Sequence, residues 1–284
     1  MNEFKPEEAL NSDVDLDAII SFPSSYIHEK VVLGIDIYQY SQYPTVEQIY
    51  IPVVFDWLYH LAATNIIKHE KYFFSTYGNS ELDFKKKFIS TGDGGFQIFD
   101  DVLQAIIFAT YFQTGLKRYV TGGATGPLEK NLFKIVNSLE LRYAISKDKI
   151  YSYKSNYFGP AIINNARMLS KDNLNRLLID LNSVSWLNKN LNATENLLDI
   201  DKEALSKTIY FKDYDNSKGS RLFDTSGKIL SVDLQKVGTL KAKETKLDIF
   251  NMHLQAKLDL IVGHQGYKIY VVTLGNLNTS GIND

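Results

Sequence analysis

The chain contains no cysteine. That excludes disulfides, thiolate metal sites and cysteine nucleophiles, and it suits a reducing cytoplasm, the expected location. Charge of one sign is also missing: 31 Lys and Arg stand against 33 Asp and Glu, a formal net charge of −2. No basic surface for a nucleic-acid backbone is implied, although a small anionic substrate needs only a few local Lys or Arg. No apolar run is long enough to span a bilayer. The longest candidate, Ile49 to Leu61, is broken by Pro52, Asp56 and His60 and reads as a buried helix, so no membrane association is expected. The opening residues Met1 to Glu8 lack the basic start and apolar run of a secretory signal. The five histidines, at 28, 60, 69, 253 and 264, form no close metal-ligand pair, so each reads as a structural or surface residue.

What is present is enough apolar material, 44% of the residues, for a large core. Residues 1–28 are polar and acidic and read as an arm. Lys30 to Ile37 (KVVLGIDI) is a buried strand. Thr45 to His69 has helical spacing, with Pro52 kinking it or delaying its start. Lys87 to Phe99 (KFISTGDGGFQIF) reads as two strands around a Gly-Asp-Gly-Gly turn. A helix follows from Asp100 to Thr114, then a loop (TGGATGP), then a helix over Leu128 to Leu139. Leu141 to Ile145 and Lys149 to Tyr153 read as two strands joined by a charged turn. Phe158-Gly159-Pro160 opens a helix to about Leu169. Leu174 to Leu198 reads as helical, and alternating runs after Thr208 read as strands. The order β-α-β-β-α-β predicts an α+β chain with a ferredoxin-like or palm-type core, a helical insertion at about 171–205 and a strand-rich C-terminal part. The expected organisation is an arm at 1–28, a main domain at 29–255 and a strand extension at 256–284.

Two acidic residues carry the chemistry. Asp36 ends an apolar strand, where a carboxylate is costly without a partner. Asp93 sits in a glycine-flanked hairpin turn. If the two strands are neighbours, the carboxylates converge. Such a pair suits Mg²⁺, which takes few protein ligands and shares the rest with phosphate and water. Two such ions support an in-line displacement at phosphorus. A turn residue and a strand-end cap are the structural alternatives for Asp93 and Asp36.

The wording around these residues resembles that of class III adenylate and guanylate cyclases. VLGIDIYQYS (32–41) resembles their first metal motif and STGDGGF (90–96) their second. YFGPAIINNAR (157–167) resembles the aromatic-Gly segment that leads into a helix ending in Arg. LKAKETKLDIF (240–250) resembles the Leu-Lys-Gly segment before the last strand. The four matches occur in the family order over roughly residues 30 to 255. The resemblance implies that Asp36 and Asp93 hold two Mg²⁺ or Mn²⁺ ions, with the Ile37 carbonyl as an extra ligand. It implies phosphate binding by backbone amides near Tyr40 and Ser41. Arg167 would stabilise charge on the phosphate, and Lys241, with Lys243 as the alternative, would contact the terminal phosphates. It also implies a head-to-tail homodimer acting on a nucleoside triphosphate, each site drawing its acids from one subunit and its cations from the other.

Several positions depart from the family. The ribose-orienting Asn falls on Ile163, with Asn164 next to it and three residues from Arg167, so Asn164 is the candidate replacement. The purine-reading positions are Ile89 and Asn156. The glycine after the central-strand Arg is Ala144. This lean form with an altered base pocket resembles bacterial pyrimidine cyclases that make cyclic CMP or cyclic UMP as antiphage signals, so CTP or UTP is the expected substrate. A purine cyclase and a degenerate nucleotide-binding relative are the alternatives. The TGGATGP loop lacks the Gly-Lys-Ser/Thr end of a P-loop and reads as a turn. Lys85 to Lys87 reads as a solvated strand edge.

Overall fold

The computed structural model describes residues 27–77, 81–123, 126–153, 156–190, 227–241, 246–261 and 267–282. Strand β1 (His28–Ile37) leads through a short 3₁₀ turn (Tyr40–Gln42) into α1 (Thr45–His69). Two short helices, α2 (Lys71–Phe74) and α3 (Glu81–Lys85), precede the hairpin β2 (Phe88–Ser90) and β3 (Gly94–Phe99). Then come α4 (Val102–Val120), α5 (Pro127–Ile135), β4 (Leu141–Tyr153), β5 (Asn156–Phe158) and α6 (Pro160–Lys171). Strand β6 (Leu177–Asp180), helix α7 (Leu181–Asn190) and the long strands β7 (Gly227–Lys241), β8 (Lys246–Ile261) and β9 (Tyr267–Leu274) complete the described elements.

The sheet runs β2-β3-β1-β4-β6-β8-β7, with β9 on β8 and β5 on β4. Its first four strands have the order and antiparallel pairing of a ferredoxin-like βαββαβ unit, with α1 and α4 as the two helices. The α+β expectation therefore holds. The β4–α6–β6 step is a parallel crossover that extends the sheet.

β1 is central and buried on both faces, which is why its sequence is almost continuously apolar. Val31, Leu33, Ile35 and Ile37 belong to the main core with α1 and α4. Val32 packs with Ala161 of α6, and Ala144 of β4 packs with Met168 and Leu169. Side chains alternate along a strand, so α6 covers the opposite face from α1 and α4. Helix α4 starts where the Asp101 carboxylate accepts from the Gln104 amide at 2.9 Å, a cap worth about 1 kcal/mol.

Several expectations are corrected. Helix α1 begins at Thr45 and includes Pro52, so its start is not delayed. The helix expected from Asp100 begins at Val102, and the one expected to Leu139 ends at Ile135. Residues 141–153 form one strand rather than two: the charges read as a turn lie along its pairing with β1, where Lys147 meets Glu29. The stretch from Leu174, expected to be helical, opens with β6, buried at all four positions. Residues 255 and 256, where the strand extension is expected to begin, both lie within β8. Lys87 is half-buried, its ammonium 4.0 Å from the Tyr77 ring centroid, rather than part of a solvated edge. The expected arm at 1–28 lies almost wholly outside the described residues, as does the later half of the 171–205 insertion.

Candidate functional site: a carboxylate pair and a cationic cleft

Asp36 lies opposite Gly94 in the β1–β3 register, and the Ile37 amide donates to the Asp93 carbonyl at 3.3 Å. The hairpin turn is thus pressed against the end of β1. Gly94 permits this: a Cβ there would lie 2.3 Å from the Ile35 carbonyl oxygen and 3.0 Å from the Asp36 Cα. Burial pushes the Asp36 carboxyl above the usual carboxylate range. Its Arg142 partner opposes that shift, and the neighbouring Asp93 charge adds to it. Asp93 has no hydrogen-bonded or ion-paired side-chain partner among the described residues. The backbone positions of Asp36 and Asp93 thus adjoin one another, and Ile37 is buried beside them.

Sequence reasoning assigned no role to Arg142. It lies directly opposite Asp36 in the β1–β4 register. Its Nε donates to Asp36 Oδ2 at 2.5 Å and its Nη1 to the Asp172 carbonyl at 2.6 Å. The Asp36 and Arg142 side chains are 18% and 22% exposed, so the pair is sheltered yet reachable from solvent. The signal was available: Leu141-Arg142-Tyr143-Ala144 sets a charge in an apolar strand, on the face that antiparallel pairing turns toward Asp36.

After β1 the chain turns through Gln39, whose φ is 56°, into the 3₁₀ turn. The Gln42 and Tyr43 amides bond back to Gln39 and Tyr40. The Tyr40 and Ser41 amides begin the turn and have no earlier carbonyl within it to bond. The Tyr40 hydroxyl donates to the Gln48 carbonyl at 2.8 Å, and the Tyr38 hydroxyl to the Asn173 carbonyl at 3.0 Å.

The cations gather elsewhere. Arg167 and Lys171 of α6 line a cleft of about 350 Å³ together with Leu240 and Lys241 of β7. Neither Asp36 nor Asp93 is in its wall. Ile163 is 49% exposed one helical turn before Arg167, and Asn164 is half-buried. Lys243 lies outside the described residues.

Of the two base-reading positions, Ile89 pairs with Phe96 and packs, as Tyr157 does, against the cluster of Val32, Ile98, Ile150 and Ala161. The Tyr157 hydroxyl reaches the Lys86 carbonyl at 3.3 Å, so β5 lies near the start of β2. Asn156 is exposed at the beginning of β5.

Two carboxylates and a carbonyl are hard oxygen donors, and Arg142 holds only one Asp36 oxygen. The set fits Mg²⁺ or Mn²⁺. Among the described residues no cluster of three or more His, Asp or Glu occurs, so such ions would share their coordination with substrate and water. No helix of the described residues is long and apolar enough to cross a membrane.

No protein-family model matches the sequence, and no curated protein matches it. Among solved structures, the chain is similar to an adenylate/guanylate cyclase/hydrolase from Silicibacter pomeroyi (12% identity, 79% of this chain and 96% of that one, TM-score 0.44). It is also similar to the adenylyl cyclase CyaB from P. aeruginosa (11% identity, 80% and 95%, TM-score 0.41). A third is the guanylyl cyclase domain of the RhoGC fusion protein from Blastocladiella emersonii (11%, 79% and 96%, TM-score 0.40). With TM-scores below 0.5, these likenesses add no argument to the strand order described above.

Proposed function

We propose that the chain is a nucleotidyl cyclase that converts a nucleoside triphosphate to its 3′,5′-cyclic monophosphate and pyrophosphate. One observation carries the reading: the hairpin turn that holds Asp93 is bonded to the end of β1 that holds Asp36, the Ile37 amide donating to the Asp93 carbonyl at 3.3 Å. A pair of carboxylates on adjoining segments suits divalent cations that arrive with a triphosphate, because such ions take few protein ligands and share the rest with phosphate and water. Asp36, Asp93 and the Ile37 carbonyl would hold such ions, which would supply activation of the 3′ hydroxyl and charge stabilisation on the pyrophosphate oxygens.

The protein's own groups do the rest. Asp36 offers the oxygen that Arg142 leaves free, and Asp93 offers both of its oxygens. The Tyr40 and Ser41 amides face the phosphates. Arg167 presents a guanidinium to the charge that grows at the α-phosphate as its bond to the β-phosphate breaks, and Lys241 contacts the terminal phosphates. Asn164 orients the ribose. The acids and the cleft lie apart in one chain, which fits a head-to-tail homodimer in which each site is completed by a second copy.

The base is a pyrimidine in this reading. The Ile89 side chain can neither donate nor accept, so a purine edge against it loses hydrogen bonds worth about 1–3 kcal/mol, a discrimination of roughly 5- to 150-fold. Asn156 carries a donor and an acceptor and suits cytosine or uracil. The alternative, a nucleotide-binding protein without turnover, is favoured only by exposed Ile163 at the ribose-orienting position. The test is incubation of purified protein with each of the four triphosphates and Mn²⁺, with products identified by mass. Cyclic CMP or cyclic UMP is expected to dominate. Dominant cyclic AMP or cyclic GMP overturns the pyrimidine assignment, and no cyclic product from any triphosphate overturns the cyclase reading.

A further inference from the structure

Arg176 is the largest fully buried side chain among the described residues, 1% exposed. A guanidinium in that position is tolerated only when its donors are matched. Its Nε lies 3.1 and 2.9 Å from the two Asp172 oxygens. Its Nη1 donates to the Asn278 carbonyl at 3.0 Å and the Ser280 carbonyl at 2.8 Å. Both carbonyls belong to the segment 275–282 that follows β9. The Asn251 amide also holds that segment, reaching the Asn276 carbonyl at 2.7 Å. The segment ends with Ile282, whose amide donates to the Val237 carbonyl at 3.1 Å. Its side chain packs against the cluster of Met168 and Leu169 from α6 and Leu240 from β7.

Asp172 is gripped from both ends. Arg176 holds its carboxylate, while Arg142, which holds Asp36, also holds its backbone carbonyl. Asp172 is in addition the C-cap of α6, the helix that carries Asn164 and Arg167. One residue therefore fixes both where α6 ends and where the guanidinium opposite the carboxylate pair is anchored. A buried ion pair can often be replaced by apolar side chains without loss of stability. What such a replacement would lose here is this particular geometry.

We propose that Arg176 is a positioning residue for the carboxylate site, acting through Asp172 to hold Arg142 against Asp36 and to set the end of α6. The segment 275–282 completes the device by supplying the two carbonyls that keep Arg176 in place. The kinetic consequence rests on the cyclase reading; the positional one does not.

The experiment is a double-mutant cycle with two readouts. Arg176→Met should lower kcat/KM for the preferred triphosphate about tenfold in the wild-type background, and less than twofold when Arg142 is already Lys. Equal losses in both backgrounds mean a purely structural role and overturn the proposal. The second readout is the Nε–H resonance of Arg142 in the full chain. It should be resolved in wild type and averaged with exposed arginines in Arg176→Met. An unchanged Arg142 signal overturns the proposal whatever turnover does. If Arg176→Met does not fold, Arg176→Lys serves in its place, because one ammonium cannot serve the carboxylate and both carbonyls together. It should shift the Arg142 signal in the same direction, and no shift overturns the proposal. A wild type that makes no cyclic nucleotide but shows the Arg142 dependence sinks the proposed function and leaves the positioning role standing.

Discussion

Tyr40 donates its hydroxyl hydrogen to the Gln48 carbonyl, the carbonyl whose helical donor would be the N–H that Pro52 does not have. α1 therefore continues through Pro52 without a break, and the turn that follows β1 is tied to the helix by the defect itself. Tyr40→Phe should cost about 1 kcal/mol by stranding that carbonyl. Pro52→Ala restores the backbone donor and should make Tyr40→Phe nearly silent. Denaturation midpoints of the four proteins check this, and an equal cost of Tyr40→Phe in both backgrounds would refute the compensation.

The raised Asp36 carboxyl gives a prediction with opposite signs for stability and activity. Its charge is held at a cost at neutral pH, because burial and Asp93 outweigh Arg142. Asp36→Asn removes that cost and keeps the shape. It should raise the melting temperature at pH 7 while abolishing turnover. Asp93→Ala should likewise abolish turnover, with stability changed by no more than about 0.5 kcal/mol. Cyclic-product formation by either variant at the wild-type rate would refute the carboxylate assignment.

If each site is shared between two copies, Asp36→Ala and Arg167→Ala proteins are each inactive and complement one another. After subunit exchange, about a quarter of wild-type activity should return, because half the dimers then carry one intact site. Demonstrated exchange without recovery would place both groups in a site built by one chain.

Asp180 predicts a pH dependence remote from that site. Burial pushes its carboxyl up to about 6 despite bonds from Ser183 and the Lys147 amide. The folded state therefore binds this proton more tightly than the unfolded state does. The stabilisation is fully present below the unfolded value near 4 and is lost as pH rises through about 6. Relative to Asp180→Asn, wild type should lose on the order of 2 kcal/mol between pH 4 and pH 7. Chemical denaturation at the two pH values measures it, and a constant difference between the proteins would refute it.

The parts of the fold that could be read from sequence are those where local pattern and tertiary role agree. The run Lys30 to Ile37 is apolar because β1 is covered on both faces, and the Gly-Asp-Gly-Gly turn is a hairpin because Gly94 must approach β1. β6 is not legible in the sequence because three apolar residues and an Asp between Asn-rich flanks do not distinguish strand from helix. β4 was split because Lys147 and Asp148 look like turn residues, yet they pair with Val31 and Lys30. In the site, Asp36 and Asp93 stand out because acids are rare in apolar and glycine-rich surroundings. Arg142 is visible as a charge in an apolar strand, but its partner depends on the register with β1, and the role of Arg176 depends on contacts between segments distant in sequence.

The side-chain oxygen of Asn165 occupies the space beside Gly34, 2.1 Å from where a Cβ would be. Its amide nitrogen meanwhile spans two strands, bonding the Val32 carbonyl at 2.8 Å and the Ala144 carbonyl at 2.9 Å. In mechanical terms α6 is keyed to the sheet: it cannot roll about its axis without lifting Asn165 from its slot, and a roll would swing Arg167 through the same angle. Positions 34 and 165 should therefore change together in related sequences. A larger residue at 34 would be accompanied by a smaller one at 165, and Gly34→Ala alone would be tolerated far less well than Gly34→Ala with Asn165→Ala.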